Sequence, residues 1–159
     1  MKIFPPQQEV LAFDWGTAII GILDVTSGTY TPYRANKRMI EGAKRLTHCA
    51  GTIVSFNGNG RDLFEIATLL GARSVAELSL RGNHDDMAEI ISRIRWPPSP
   101  GTAPIVGPCL SDTYAHYFGD VRPIVPSALS DEYEADNWID CYRTAELWRK
   151  WKRDGLEGS

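Results

Sequence analysis

Short apolar runs separated by turn residues open the chain, and a longer amphipathic rhythm takes over after them. Glu9 to Gly16 (EVLAFDWG) sets Val10, Leu11, Ala12 and Phe13 side by side and then turns polar. That pattern predicts a central strand buried on both faces. Ala18 to Val25 (AIIGILDV) predicts a second strand and Thr29 to Arg34 (TYTPYR) a third. Pro32 puts the third at a sheet edge or ends it early, because proline has no N–H to donate. Ser27-Gly28 between them is a hairpin turn signal, so the three strands form an antiparallel meander.

A helical period follows. Met39, Ile40, Ala43 and Leu46 share one face of a helix that Asn36 caps and that runs to about His48. Gly51 introduces a buried strand over Thr52 to Phe56. A strand–helix–strand crossover makes that strand parallel to the sheet. Further helices are predicted over Arg61 to Leu70, Asp85 to Arg95, Leu110 to Phe118 and Asp131 to Arg153. Trp96 to Pro108 is rich in proline and reads as a loop. The predicted order is three strands, a helix, a strand, then helices only. This is an α/β chain with a mixed sheet flanked by helices.

Composition narrows the picture. The 159 residues fit one domain, expected over 1–153, with 154–159 as a frayed tail. Hydrophobic residues are 43% and charged residues 23%, so general disorder is not expected. The cysteines are Cys49, Cys109 and Cys141, an odd number without a C-x-x-C pair. Neither a disulfide framework nor a cysteine zinc site is suggested, and a reducing cytoplasm is the natural setting. No signal-peptide pattern or membrane-length apolar run is present. The net charge of −3 argues against a nucleic-acid coating protein, but it leaves open a nuclease, whose metal site is itself acidic.

Three aspartates are candidates for chemistry. Asp14 ends an apolar strand, where ligands and metals gather at a sheet rim; a turn role is an equal alternative. Asp62 follows Asn57-Gly58-Asn59-Gly60 and opens a helix, where a carboxylate is also simply favourable. Asp140 lies on the last helix, four residues after Asp136, and like charges at that spacing repel unless a cation, solvent or Arg143 intervenes. Hard divalent cations take carboxylate oxygens, and two-metal phosphodiester cleavage needs several of them converging. His84, Asp85 and Asp86 are a candidate metal cluster, but the favoured reading is a helix start capped by Asn83 with the acids in its first turn. Trp15 either stacks on a base or packs in the core.

The segments around the three aspartates resemble those of the DEDD superfamily, in its ribonuclease-H-like branch of predicted 3′–5′ exonucleases. LAFDWGT resembles the first motif, an apolar strand followed by D-x-E-T, with Asp14 and Thr17 matching. IVSFNGNGRDL resembles the second, with Phe56, Asn57, Gly58 and Asp62 matching and Arg61 in place of a phenylalanine. DCYRTAELW resembles the third, with Asp140, Thr144 and Leu147 matching. The resemblance implies a ribonuclease-H-like sheet and a 3′–5′ exonuclease working on single-stranded nucleic-acid ends with Mg²⁺ or Mn²⁺. It assigns Asp14, Asp62 and Asp140 to catalysis and metal binding, and Thr17 and Asn57 to substrate binding; Trp15, beside Asp14, joins them as a candidate to hold the terminal nucleotide by stacking. Two departures stand out. Gly16 replaces the second carboxylate of the first motif. The tyrosine or histidine expected four or five residues before the last aspartate is absent, with Tyr133 seven residues before it and Asp136 as a substitute ligand. A degenerate nucleic-acid-binding or interaction module is the alternative these departures imply.

Overall fold

The computed structural model describes residues 8–94, 109–129 and 131–156. The predicted loop from Trp96 to Pro108 lies outside them. Five strands form one mixed sheet: β1 (Val10–Gly16), β2 (Ile19–Asp24), β3 (Tyr30–Arg34), β4 (Thr52–Ser55) and β5 (Asn83–Asp86). Their order is β3-β2-β1-β4-β5. β1 pairs antiparallel with β2 and parallel with β4. The meander and the crossover strand therefore stand where the pattern puts them, and Pro32 lies on the edge strand β3. The turn before β3 is built by Asp24, whose Oδ1 accepts the N–H groups of Thr26 and Ser27 at 2.9 and 3.1 Å.

β5 is a correction to the predicted order. Asn83 to Asp86 (NHDD) pairs in parallel with β4 instead of starting a helix. Four polar residues give no alternation to detect; the segment is held by backbone pairing, begun by the Asn83 N–H on the Gly51 carbonyl at 2.9 Å. Asn83 is accordingly no helix cap: its side-chain amide donates to Asp85 at 2.8 Å. The helix starts two residues later than predicted, at Met87, and Asp86 accepts the Ala88 N–H at 3.1 Å.

Helices α1 (Asn36–His48) and α2 (Leu63–Leu69) cover one face of the sheet, and α3 (Met87–Ile94), α4 (Leu110–Phe118) and α5 (Glu132–Asp154) lie on the other side. The alternation along β1 separates the two cores. Leu11 and Phe13 pack with Ile20, Ile22, Met39, Leu46 and Ile66. Ala12 packs with Leu23, Val54, Met87, Ile91, Cys141 and Ala145. Asp14 and Gly16 have the parity of Ala12 and so face α5. Asn36 is the first residue of α1 and makes no side-chain cap; the N-cap is Ala35. Packing runs past Arg153, because Leu156 is 4% exposed within the second core. Among the described residues, no helix is long and apolar enough to cross a membrane.

Candidate active site

α5 is positioned at both ends of its first turn. The Asp131 side chain accepts the Glu134 N–H at 2.8 Å, and Arg34 of β3 reaches Asp131 at 2.6 Å and Glu134 at 3.4 Å. An N-terminal aspartate both satisfies a free amide and suits the helix dipole. This clamp sets Tyr133, Asn137 and Asp140, spaced four and three apart, along one face of the helix toward the end of β1.

A cleft of about 330 Å³ lies there, lined by Asp14, Trp15, Thr17, Arg61, Asp140 and their neighbours. Asn137 is the central polar contact. Its amide donates to the Asp14 carboxylate at 3.1 Å and to the Asp14 carbonyl at 3.2 Å, and its oxygen accepts the Tyr30 hydroxyl at 2.6 Å. It is 5% exposed. Gly21 on β2 makes room for it, since a Cβ there would lie 1.6 Å from Asn137 Oδ1. Sequence patterning passed over Asn137; its one signal is the helical spacing it shares with Tyr133 and Asp140.

A π-helical turn, Gly58–Asp62, follows β4 before α2 begins. Asn57 enters it with positive φ. Asp86, 5% exposed, fixes this turn from β5: its two oxygens accept the N–H groups of Asn57 and Asn59 at 2.7 and 3.0 Å. Asp86 is thus a structural anchor for the turn that presents Asp62. Asp86→Asn replaces one acceptor oxygen by a donor facing an N–H. We expect a loss of about 1–2 kcal/mol and faster amide hydrogen exchange at Asn57 and Asn59, with the β1–β2 ladder unchanged.

Asp62 is 6% exposed and accepts the Trp15 N–H at 3.4 Å. The three aspartates therefore approach from β1, from the turn before α2, and from α5. Burial raises the pKa of Asp14 to about 8, helped by the charges of Asp140 and Asp62 and opposed by Arg61 and the Asn137 amide. Burial likewise raises Asp62 to about 7, with the Trp15 N–H and Arg61 opposing and Asp86 and Asp140 adding. Asp140 rises to about 6, again through burial first, with Arg143 opposing and Asp136 adding. Three neighbouring carboxyls all raised above the ordinary aspartate range mark a site short of positive charge.

The other expected residues divide. Thr17 is exposed and Trp15 half-buried, and both line the cleft with Tyr133 and Asp136. Asp136 is an exposed side chain beside Arg122 at 3.8 Å. Asn57 does not line the cleft; it belongs to the adjoining turn. The Tyr133 hydroxyl accepts the Ala18 N–H at 3.2 Å. A Cβ on Gly16 would lie 2.8 Å from that hydroxyl and 2.7 Å from Ile19 Cγ2. Tyr133 and Ile19 thus take up the space where a side chain at position 16 would begin. Among the described residues, no group of three or more His, Cys, Asp or Glu side chains is placed to hold a metal ion.

Compared with protein-family models, with curated proteins and with solved structures, the chain matches none. Its own geometry defines its class: an α/β protein with a five-stranded mixed sheet and an acidic cleft at the carboxyl end of β1.

Proposed function

We propose that the protein is a divalent-cation-dependent 3′–5′ exonuclease-like hydrolase of single-stranded nucleic-acid ends, built on a ribonuclease-H-like sheet. One observation carries the reading. Asp14, Asp62 and Asp140, far apart in the chain, lie within electrostatic reach of one another, each with its proton held above the ordinary range. The strand order, with an antiparallel meander joined to parallel strands, supports the same reading. So does the place of each resembling segment: strand end, post-strand turn and last helix.

The donor set is all oxygen, which suits Mg²⁺ or Mn²⁺ and not a softer metal. No ready-made cage is needed, because Mg²⁺ is commonly held by one or two carboxylates, waters and substrate phosphate. A cation held by these carboxylates would supply positive charge at the phosphate and lower the pKa of water there. Asn137 keeps the Asp14 carboxylate turned into the cleft, and Trp15 and Tyr133 offer rings to the terminal base. In the overall step, water adds its oxygen to phosphorus and the bond to the preceding 3′-oxygen breaks. The proton released from water ends on that oxygen, leaving a shortened strand and a nucleoside 5′-monophosphate.

A second reading is a degenerate module that binds nucleic acid or a partner without cleaving. The steric exclusion at Gly16 favours it. A 5′-labelled single-stranded oligonucleotide incubated with Mn²⁺ separates the two. A ladder of shortened products, absent with Asp14→Asn, is the expected result. Binding without shortening selects the degenerate module, and neither binding nor shortening sinks both nucleic-acid readings.

A further inference from the structure

The cleft holds more acid than its own residues neutralise, and one basic side chain is poised to respond. Arg61 stands among Asp14, Asp140 and Asp136 in the cleft lining. It is exposed, and among the described residues it enters no ion pair. Asp136, by contrast, has Arg122 beside it. The charge of Arg61 still reaches both Asp14 and Asp62.

A second cation has little to hold it. The position that would add a carboxylate to the Asp14 face of β1 is Gly16, and its side-chain space belongs to Tyr133 and Ile19. Tyr133 is itself fixed, by the Ala18 N–H and by Arg34 lying 5.4 Å from its ring centre. A cation placed on the Arg61 side would also meet the repulsion of the guanidinium. A planar guanidinium, however, matches a phosphate with two parallel hydrogen bonds.

We propose that the cleft binds a terminal nucleotide phosphate between one divalent cation, held by Asp14 and Asp140 of its lining, and the guanidinium of Arg61, which supplies the second positive charge. This rests on the nuclease reading above and departs from a two-cation site. Cation and phosphate then bind cooperatively, since each completes the other's coordination, and by linkage the coupling is the same in both directions.

The test counts ions and measures coupling, independently of turnover. Free Mn²⁺ is followed by electron paramagnetic resonance during titration of the full chain, with and without deoxyadenosine 5′-monophosphate. The expected stoichiometry is one Mn²⁺ per chain, bound about tenfold or more tightly when the nucleotide is present, as charge-assisted hydrogen bonds imply. Deoxyadenosine, which lacks the phosphate, gives no such tightening. Arg61→Gln, an exposed substitution whose folding is checked by its thermal melt, binds Mn²⁺ alone at least as well as wild type but loses the nucleotide coupling. Arg61→Lys recovers part of it. Two Mn²⁺ ions per chain, or coupling unchanged in Arg61→Gln, overturns the inference and leaves the nuclease reading standing. Failure to bind Mn²⁺ with or without nucleotide overturns both.

Discussion

Asp14→Asn is expected to remove the nucleic-acid cleavage proposed above and, at the same time, to stabilise the cation-free protein at pH 8. The first effect follows from the cation's share of the barrier. A metal stabilises transition-state charge by several kcal/mol, and about 1.4 kcal/mol is tenfold, so a loss of about 10³ in rate is expected. The second follows from proton linkage. Burial raises Asp14 to about 8, Asp62 to about 7 and Asp140 to about 6, above the 3.8 of a free aspartate. Between those limits the folded state holds protons that the unfolded chain has released, so stability falls as pH rises. The contribution is fully present below pH 3.8 and is lost as pH climbs through about 6, 7 and 8. An asparagine at position 14 removes the largest of the three penalties and one of the charges acting on Asp62. Its oxygen still accepts the Asn137 amide.

Thermal melts at pH 5 and pH 8 check this directly. Wild type without cation should melt lower at pH 8 than at pH 5, and Asp14→Asn should narrow that gap. Mn²⁺ at roughly 100 times its Kd contributes about 2.7 kcal/mol, or some 5–10 °C in a chain of this size. That rise should be seen at pH 8, should shrink at pH 5 where protons occupy the carboxyls, and should be smaller in Asp14→Asn. A cation-induced rise that is equal at both pH values would sever the link between the aspartates and the ion.

Asn137→Ala is expected to cost roughly 4 kcal/mol, because it strands the Tyr30 hydroxyl and two acceptors of Asp14 in a partly buried setting. The melting temperature should fall by about 8–16 °C, a large part of the 5–15 kcal/mol that holds a domain together. The Asp14 carboxyl, relieved of the amide that opposes its burial, should titrate higher still. Tyr30→Phe removes one of the three hydrogen bonds and should cost only about 1 kcal/mol. The double variant then isolates the contact: if Asn137 and Tyr30 are coupled, the two losses will not add. Additive losses, or an Asn137→Ala melt within 2–3 °C of wild type, would mean that the amide does not organise the site.

Asp86 and Tyr133 show why part of the site escapes a linear reading. Asp86 sits in NHDD, where an acidic run before an apolar helix suggests a capped helix start. Its N–H acceptor role toward Asn57 and Asn59 depends on β5 pairing with β4, and nothing within those four residues encodes that pairing. Tyr133 is far from Gly16 in the chain, so the tyrosine that fills the space beside the glycine becomes visible only when α5 lies across β1.

The sequence by itself determined the elements whose hydrophobic period is strong: the β1–β2–β3 meander, the crossover to β4, and helices α1, α4 and α5 to within a residue or two. Periodicity reports which side of an element is buried, and burial is a local decision repeated along the chain. It also marked Asp14 at a strand end, Asp62 at a helix start and Asp140 on the last helix as candidate acids. Only the tertiary structure decided that these acids share one poorly solvated corner, that Asn137 ties Asp14 to α5 and β2, and that Arg61 enters the cleft while Asn57 stays outside it. Charge coupling and desolvation depend on distance and enclosure in three dimensions, which sequence separation does not encode.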